Sequence, residues 1–104
     1  MALFEDRETA FEAKFAHDEE MQFRAEARRD KLVGLWAAEL LGKSGEEAAA
    51  YAAEVVGADI EEPGLEDVVR KLVKDLAGKA DEAAIRAKLA EMMPVAKAQL
   101  LAEI

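Results

Sequence analysis

The side chains that could do covalent chemistry are few. The chain has one histidine (His17), one serine (Ser44), one threonine (Thr9) and one tyrosine (Tyr51), and it has no cysteine and no asparagine. Nucleophilic catalysis needs a nucleophile beside a base, with donors for the developing oxyanion. The only serine–histidine pair is Ser44 and His17, which the helical pattern places at opposite ends of one long element. His17 also lacks the Glu-x-x-His spacing of a carboxylate-bridged metal site, because residue 14 is Lys. Without cysteine there is neither a thiolate metal site nor a disulfide. The expectation is a non-enzyme with no catalytic residue, no metal and no cofactor.

One segment resembles a phosphate cradle. Residues 37–44, Ala-Ala-Glu-Leu-Leu-Gly-Lys-Ser, fit a P-loop expression with Ala at the first Gly position. A P-loop needs free amides in a glycine-rich turn after a strand. Here the first five residues belong to a helical stripe. What survives is Gly42, Lys43 and Ser44 ahead of a helix N-terminus, where amides and one ammonium could hold an anion weakly. An adenine nucleotide is the ligand this would suit, and hydrolysis is not expected.

Other charged clusters read as solvated faces. Glu46, Glu47, Glu54, Asp59, Glu61, Glu62, Glu66 and Asp67 form an acidic zone with no Lys or Arg from Ser44 to Val69. The spacing around Gly64 does not make a Ca²⁺ loop. Arg24, Arg28, Arg29 and Lys31 are the one basic cluster, with Glu20 and Arg24 in a favourable i,i+4 pair. Surface salt bridges account for most of this cluster, and a docking patch is its alternative reading.

The elements that carry these residues are helices. Apolar residues recur at three and four rather than two, and Ala and Leu are abundant. The first helix is expected from about Asp18 to Leu41, with Met21, Ala25, Leu32, Trp36 and Leu40 inward, Val33 at the margin and Gly42 as its C-cap. Ser44-Gly45-Glu46-Glu47 reads as a capping box for a second helix that buries Ala48, Tyr51, Ala52 and Val55, with Val56 at the margin, and stops at Gly57. Pro63-Gly64 marks a turn. The third helix carries Leu65, Val68, Val69, Leu72, Val73 and Leu76, and ends at Gly78. Asp81 can cap the fourth, with Ile85, Leu89, Met92, Met93, Ala96, Leu100 and Ile104 inward and a kink or break at Pro94. The fold class is all-α, a small antiparallel four-helix bundle over residues 18–104.

Residues 1–17 differ. Phe4, Phe11 and Phe15 are seven and four apart and would form one ridge on a helix, and the polar run His17-Asp18-Glu19-Glu20 cuts them off from the bundle stripes. Two readings stand: the ridge folds back onto the bundle, or it is a mobile arm that orders on a partner. Three anchors in a short helix are marginal in water, which favours the mobile arm.

Length and charge set the outer bounds. The chain has 104 residues, one domain's worth, with 23 acidic and 14 basic residues for a formal charge of −9. That charge argues against nucleic acid and against anionic membrane surfaces. No apolar run approaches the roughly 20 residues of a membrane span, and the charged first dozen residues lack a secretory h-region. A soluble cytoplasmic protein is expected.

The segments Phe4-Glu5-Asp6-Arg7-Glu8-Thr9-Ala10-Phe11-Glu12-Ala13-Lys14-Phe15-Ala16-His17-Asp18-Glu19-Glu20 and Leu32-Val33-Gly34-Leu35-Trp36-Ala37-Ala38-Glu39-Leu40-Leu41-Gly42 resemble the ATPase inhibitor zeta subunits of alphaproteobacterial ATP synthases. The resemblance covers essentially the whole chain and is looser after Gly57. It implies a four-helix protein of the bacterial cytoplasm, peripheral on the ATP synthase. Its arm would enter a catalytic interface of the enzyme head, become helical there and block ATP hydrolysis. Carried onto this sequence, the interface residues are Phe4, Arg7, Phe11, Lys14 and Phe15. The alternative function is a regulatory bundle that binds an adenine nucleotide.

Overall fold

The computed structural model describes residues 18–61 and 64–103. Four helices follow in chain order: α1 over Glu19–Leu40, α2 over Gly45–Glu61, α3 over Leu65–Asp75 and α4 over Glu82–Glu103. Among the described residues there is no strand, so the all-α, four-helix reading holds. Both α1 and α3 pack against α2 and α4. Short links make sequence neighbours pack side by side, and α4 closes the ring by returning along α1. The expected N-terminal arm, residues 1–17, lies outside the described residues, as does the inward placement of Ile104.

The helix ends show why the chain breaks where it does. The Asp18 carboxylate accepts a hydrogen bond from the Met21 amide at 3.1 Å, which satisfies one of the free donors at the start of α1. Asp81 does the same for α4 through the Ala84 amide at 2.9 Å. The expected capping box of α2 is not formed. Neither the Ser44 nor the Glu47 side chain bonds to an amide of the first turn. Gly45 is left-handed at φ +55°, so the residue after Ser44 lacks the helical dihedrals that the first helical position needs if Ser44 is to cap the turn.

Gly57 does not stop α2, and Pro94 does not break α4. α2 runs through Gly57 to Glu61. A helical Gly costs roughly 1 kcal/mol, and packing along α1 outweighs it. α4 runs through Pro94. Its two halves are anchored separately, Leu89 in the main core and Leu100 in a second cluster, so the lost amide bond does not end the helix.

The main core gathers Val33, Ala37 and Ala38 of α1, Tyr51 and Val55 of α2, Val68, Val69 and Leu72 of α3, Leu76 just beyond it, and Ile85 and Leu89 of α4. A smaller cluster joins Met21 and Ala25 to Leu100, with Met93 and Leu101 against it. The inward face of α1 departs from expectation. Leu40 is exposed, and Leu32 and Trp36 are only partly buried, whereas Asp30, Val33, Gly34, Ala37 and Ala38 are buried. Val73 of α3 is likewise exposed. The α1 face is set by its small residues. A β-carbon on Gly34 would stand 2.8 Å from the Ala52 Cα and 3.3 Å from the Val55 Cβ, so α1 and α2 approach almost backbone to backbone. The larger side chains flank that seam, and Trp36 packs on its edge with the Lys88 ammonium 5.5 Å from its ring.

Candidate functional site

The arm residues Phe4, Arg7, Phe11, Lys14 and Phe15 lie outside the described residues. Gly42, Lys43 and Ser44 are described, and their backbone is largely committed. The Gly42 amide donates to the Glu39 carbonyl at 3.0 Å, and the Lys43 amide to the Ala38 carbonyl at 2.8 Å. With Gly42 left-handed at φ +77°, this is a helix C-cap that consumes two amides a phosphate would need. The Lys43 ammonium and the Ser44 groups remain, followed by Glu46 and Glu47 in the first turn of α2. Those carboxylates stabilise the helix start and would repel an anion.

The basic cluster does not act as one unit. Arg29 turns inward, only 11% exposed, and its guanidinium binds Asp30 at 2.9 Å and reaches Asp59 of α2 at 3.7 Å. Asp30 has no solvent exposure, and its Oδ2 makes no hydrogen bond. Burial pushes the Asp30 carboxyl up to about 8, a proton shared toward Asp59 adds to the rise, and Arg29 opposes it. A proton on Asp30 therefore supplies the partner that Oδ2 lacks. Asp59 also accepts from the Gly64 amide at 3.4 Å. This acid–arginine–acid knot joins α1 to the far end of α2. The spacing of Asp30, Gly34 and Ala37 at i, i+4, i+7 was its signal in the sequence.

A second polar knot joins α2 to α3. The Tyr51 hydroxyl donates to Asp75 at 2.7 Å, and Lys71 binds the same oxygen at 3.0 Å with its ammonium 5.1 Å from the Tyr51 ring. Burial and the neighbouring Asp75 push the Tyr51 phenol up. Burial alone would raise Asp75, but the bonds from Tyr51 and Lys71 hold its carboxyl below the usual range. These groups face one another and are structural in arrangement.

The other three basic residues line an open groove of about 440 Å³ on the outer side of α1. Its apolar floor is Phe23, Ala27, Val56 and Leu100, and its charged rim is Arg24, Arg28, Lys31 and Glu103. Arg28 is clasped to α4, donating to Gln99 at 2.9 Å and pairing with Glu103 at 2.8 Å. Arg24 pairs with Glu20 at 2.8 Å on the open surface, as its i,i+4 spacing predicts. Phe23 is 55% exposed, an aromatic ring left facing water beside three cations.

Among the described residues no group of three or more His, Asp or Glu side chains could hold a metal ion, and no helix is long and apolar enough to cross a membrane.

Comparison with known proteins adds two findings. The family model of ATPase inhibitor subunit zeta matches residues 1–99. A protein solved by solution NMR is 67% identical to the chain, superposes with a TM-score of 0.75, and the match covers 81% of this chain and 99% of that one. No curated protein matches the chain.

Proposed function

The chain belongs to the ATPase inhibitor subunit zeta family, and from that membership we propose that it restrains the F-type ATP synthase by inserting residues 1–17 into a catalytic interface of the enzyme head. The observation that carries the reading is the span of the family match, which begins at residue 1 and so takes in the aromatic arm as well as the helices. Phe4, Phe11 and Phe15 would be the apolar anchors, with Arg7 and Lys14 pairing to carboxylates around them. Helix formation on the enzyme lines the three rings on one ridge. Buried aromatic anchors are the usual source of binding energy, whereas exposed ion pairs contribute little. The helices of residues 18–103 would act as the body that carries the arm, in the cytoplasm and peripheral to the enzyme.

The second reading, an adenine nucleotide at Gly42, Lys43 and Ser44, has less support. The helix cap takes two of the amides, and the following acidic turn repels phosphate. Adding the full-length chain to the cognate enzyme and measuring ATP hydrolysis tests the first reading. Titrating the chain with nucleotide alone tests the second.

A further inference from the structure

We propose that the groove lined by Phe23, Ala27, Val56 and Leu100 is the docking site of this chain's own N-terminal segment, residues 1–17, so that the free protein holds its arm in reserve.

The groove lies where the bundle thins. Among the described residues the first turns of α1 pack on α4 through the small cluster of Met21, Ala25 and Leu100, and Val56 near the end of α2 closes the other side. Apolar surface is therefore left open there, with Phe23 more than half exposed. Arg24 pairs with Glu20 at 2.8 Å and Arg28 with Glu103 at 2.8 Å, so the rim keeps its net positive charge through Lys31. On a chain of net charge −9 this selects an acidic, aromatic segment. The arm has that composition. Its residues Glu5, Asp6, Glu8 and Glu12 outnumber Arg7 and Lys14, and they alternate with Phe4, Phe11 and Phe15.

Chain length permits the contact. The arm joins α1 at Asp18, five residues before Phe23 and thirteen before Lys31. At about 1.5 Å per helical residue, Lys31 is roughly 20 Å from the junction, and a helical arm of seventeen residues would extend about 25 Å. A reversal near His17 would bring Phe11 beside Phe23 and lay Glu5, Asp6 and Glu8 along Arg28 and Lys31. Docking would compete with enzyme binding for the same three rings. That regulatory consequence rests on the function proposed above, whereas the docking itself does not.

Paramagnetic relaxation in the full-length protein tests it. The chain has no cysteine, so Thr9→Cys accepts a single nitroxide. The amides of Lys31 and Val56 should broaden strongly. The broadening should fall several-fold in the variant Arg24→Glu/Lys31→Glu, and again at about 1 M salt, where the screening length is about 3 Å. A merely tethered arm would instead broaden chiefly Glu19 to Gln22 at its junction, regardless of salt or charge reversal. That result, or no broadening at Val56, overturns the proposal. Broadening seen only when label and isotope are on different molecules overturns it as well, because the occupant is then a second copy. The enzyme is absent throughout, so failure here leaves the inhibitory reading intact. Loss of that reading with the broadening preserved would leave the docking site standing.

Discussion

Gly34 of α1 faces the backbone of Ala52 in α2 so closely that a β-carbon at residue 34 would lie 2.8 Å from the Ala52 Cα. The atom in the way is main chain, so no rotamer change relieves the clash. Gly34→Ala should force the helices apart and cost about 1–3 kcal/mol by overpacking, despite the better helix propensity of Ala. Gly57 sits inside α2 with nothing within 4 Å of its would-be β-carbon. Gly57→Ala should therefore stabilise by about 0.5–1 kcal/mol. Urea unfolding of the two variants checks the opposite signs. Equal and positive shifts would mean that the seam between α1 and α2 is looser than described.

The Asp30 carboxyl predicts a pH dependence of its own. It is pushed up to about 8 in the folded chain, against roughly 3.9 when unfolded. Between those values the folded state holds a proton that the unfolded state has lost, so stability falls as pH rises from about 4 to 8. The loss is on the order of a few kcal/mol once the carboxylate is charged beside Asp59. Asp30→Asn removes the titration. The melting temperature of the parent should drop between pH 5 and pH 9, and that of the variant should drop less. Glu66, Asp75 and Glu103, held below the usual range by their cationic or phenolic partners, act in the opposite sense, with losses only in the acid range below that window. Parallel curves for parent and variant would rule Asp30 out as the titrating group.

Tyr51→Phe removes the 2.7 Å bond to Asp75 and leaves the ring in the core. Asp75 keeps Lys71 at 3.0 Å, so the carboxylate is not stranded. The expected cost is about 1.5–3 kcal/mol, the range of a hydrogen bond to a charged group. Chemical denaturation measures it, and ultraviolet titration of the parent should show a phenol that ionises later than a free tyrosine.

The legible parts of the fold were those with a periodic or local cause. The α3 stripe of Val68, Val69, Leu72 and Leu76, the Asp18 and Asp81 caps and the Gly42 stop follow from spacing and from donor counting at helix ends, whereas Val73 of the same stripe faces out. The inward face of α1 did not follow, because hydropathy favours Leu32, Trp36 and Leu40 while the packing is decided by the small residues Gly34, Ala37 and Ala38. A helix face that permits close approach buries more contact than one with large side chains held apart. The Asp30 knot was hidden for a related reason: its acid is tolerated inside only because Arg29 and Asp59 converge on it from two helices. The splitting of the basic cluster, with Arg29 inward and Arg24, Arg28 and Lys31 around an open groove, depends on the same rotation of α1. The Gly42-Lys43-Ser44 segment showed its cap in the sequence, but the amides spent on that cap are visible only in three dimensions.

The central claim is that the aromatic ridge of the arm carries inhibition. The direct measurement is steady-state ATP hydrolysis by the cognate ATP synthase head with increasing full-length chain, comparing the parent with Phe11→Ala/Phe15→Ala. Melting temperature is recorded for both chains. Loss of two buried aromatic anchors should remove about 4 kcal/mol or more of binding, so the variant should leave hydrolysis near its uninhibited rate while its helices stay folded. A variant that folds normally and inhibits as the parent does would contradict the account, and would shift the inhibitory contact to the helical body.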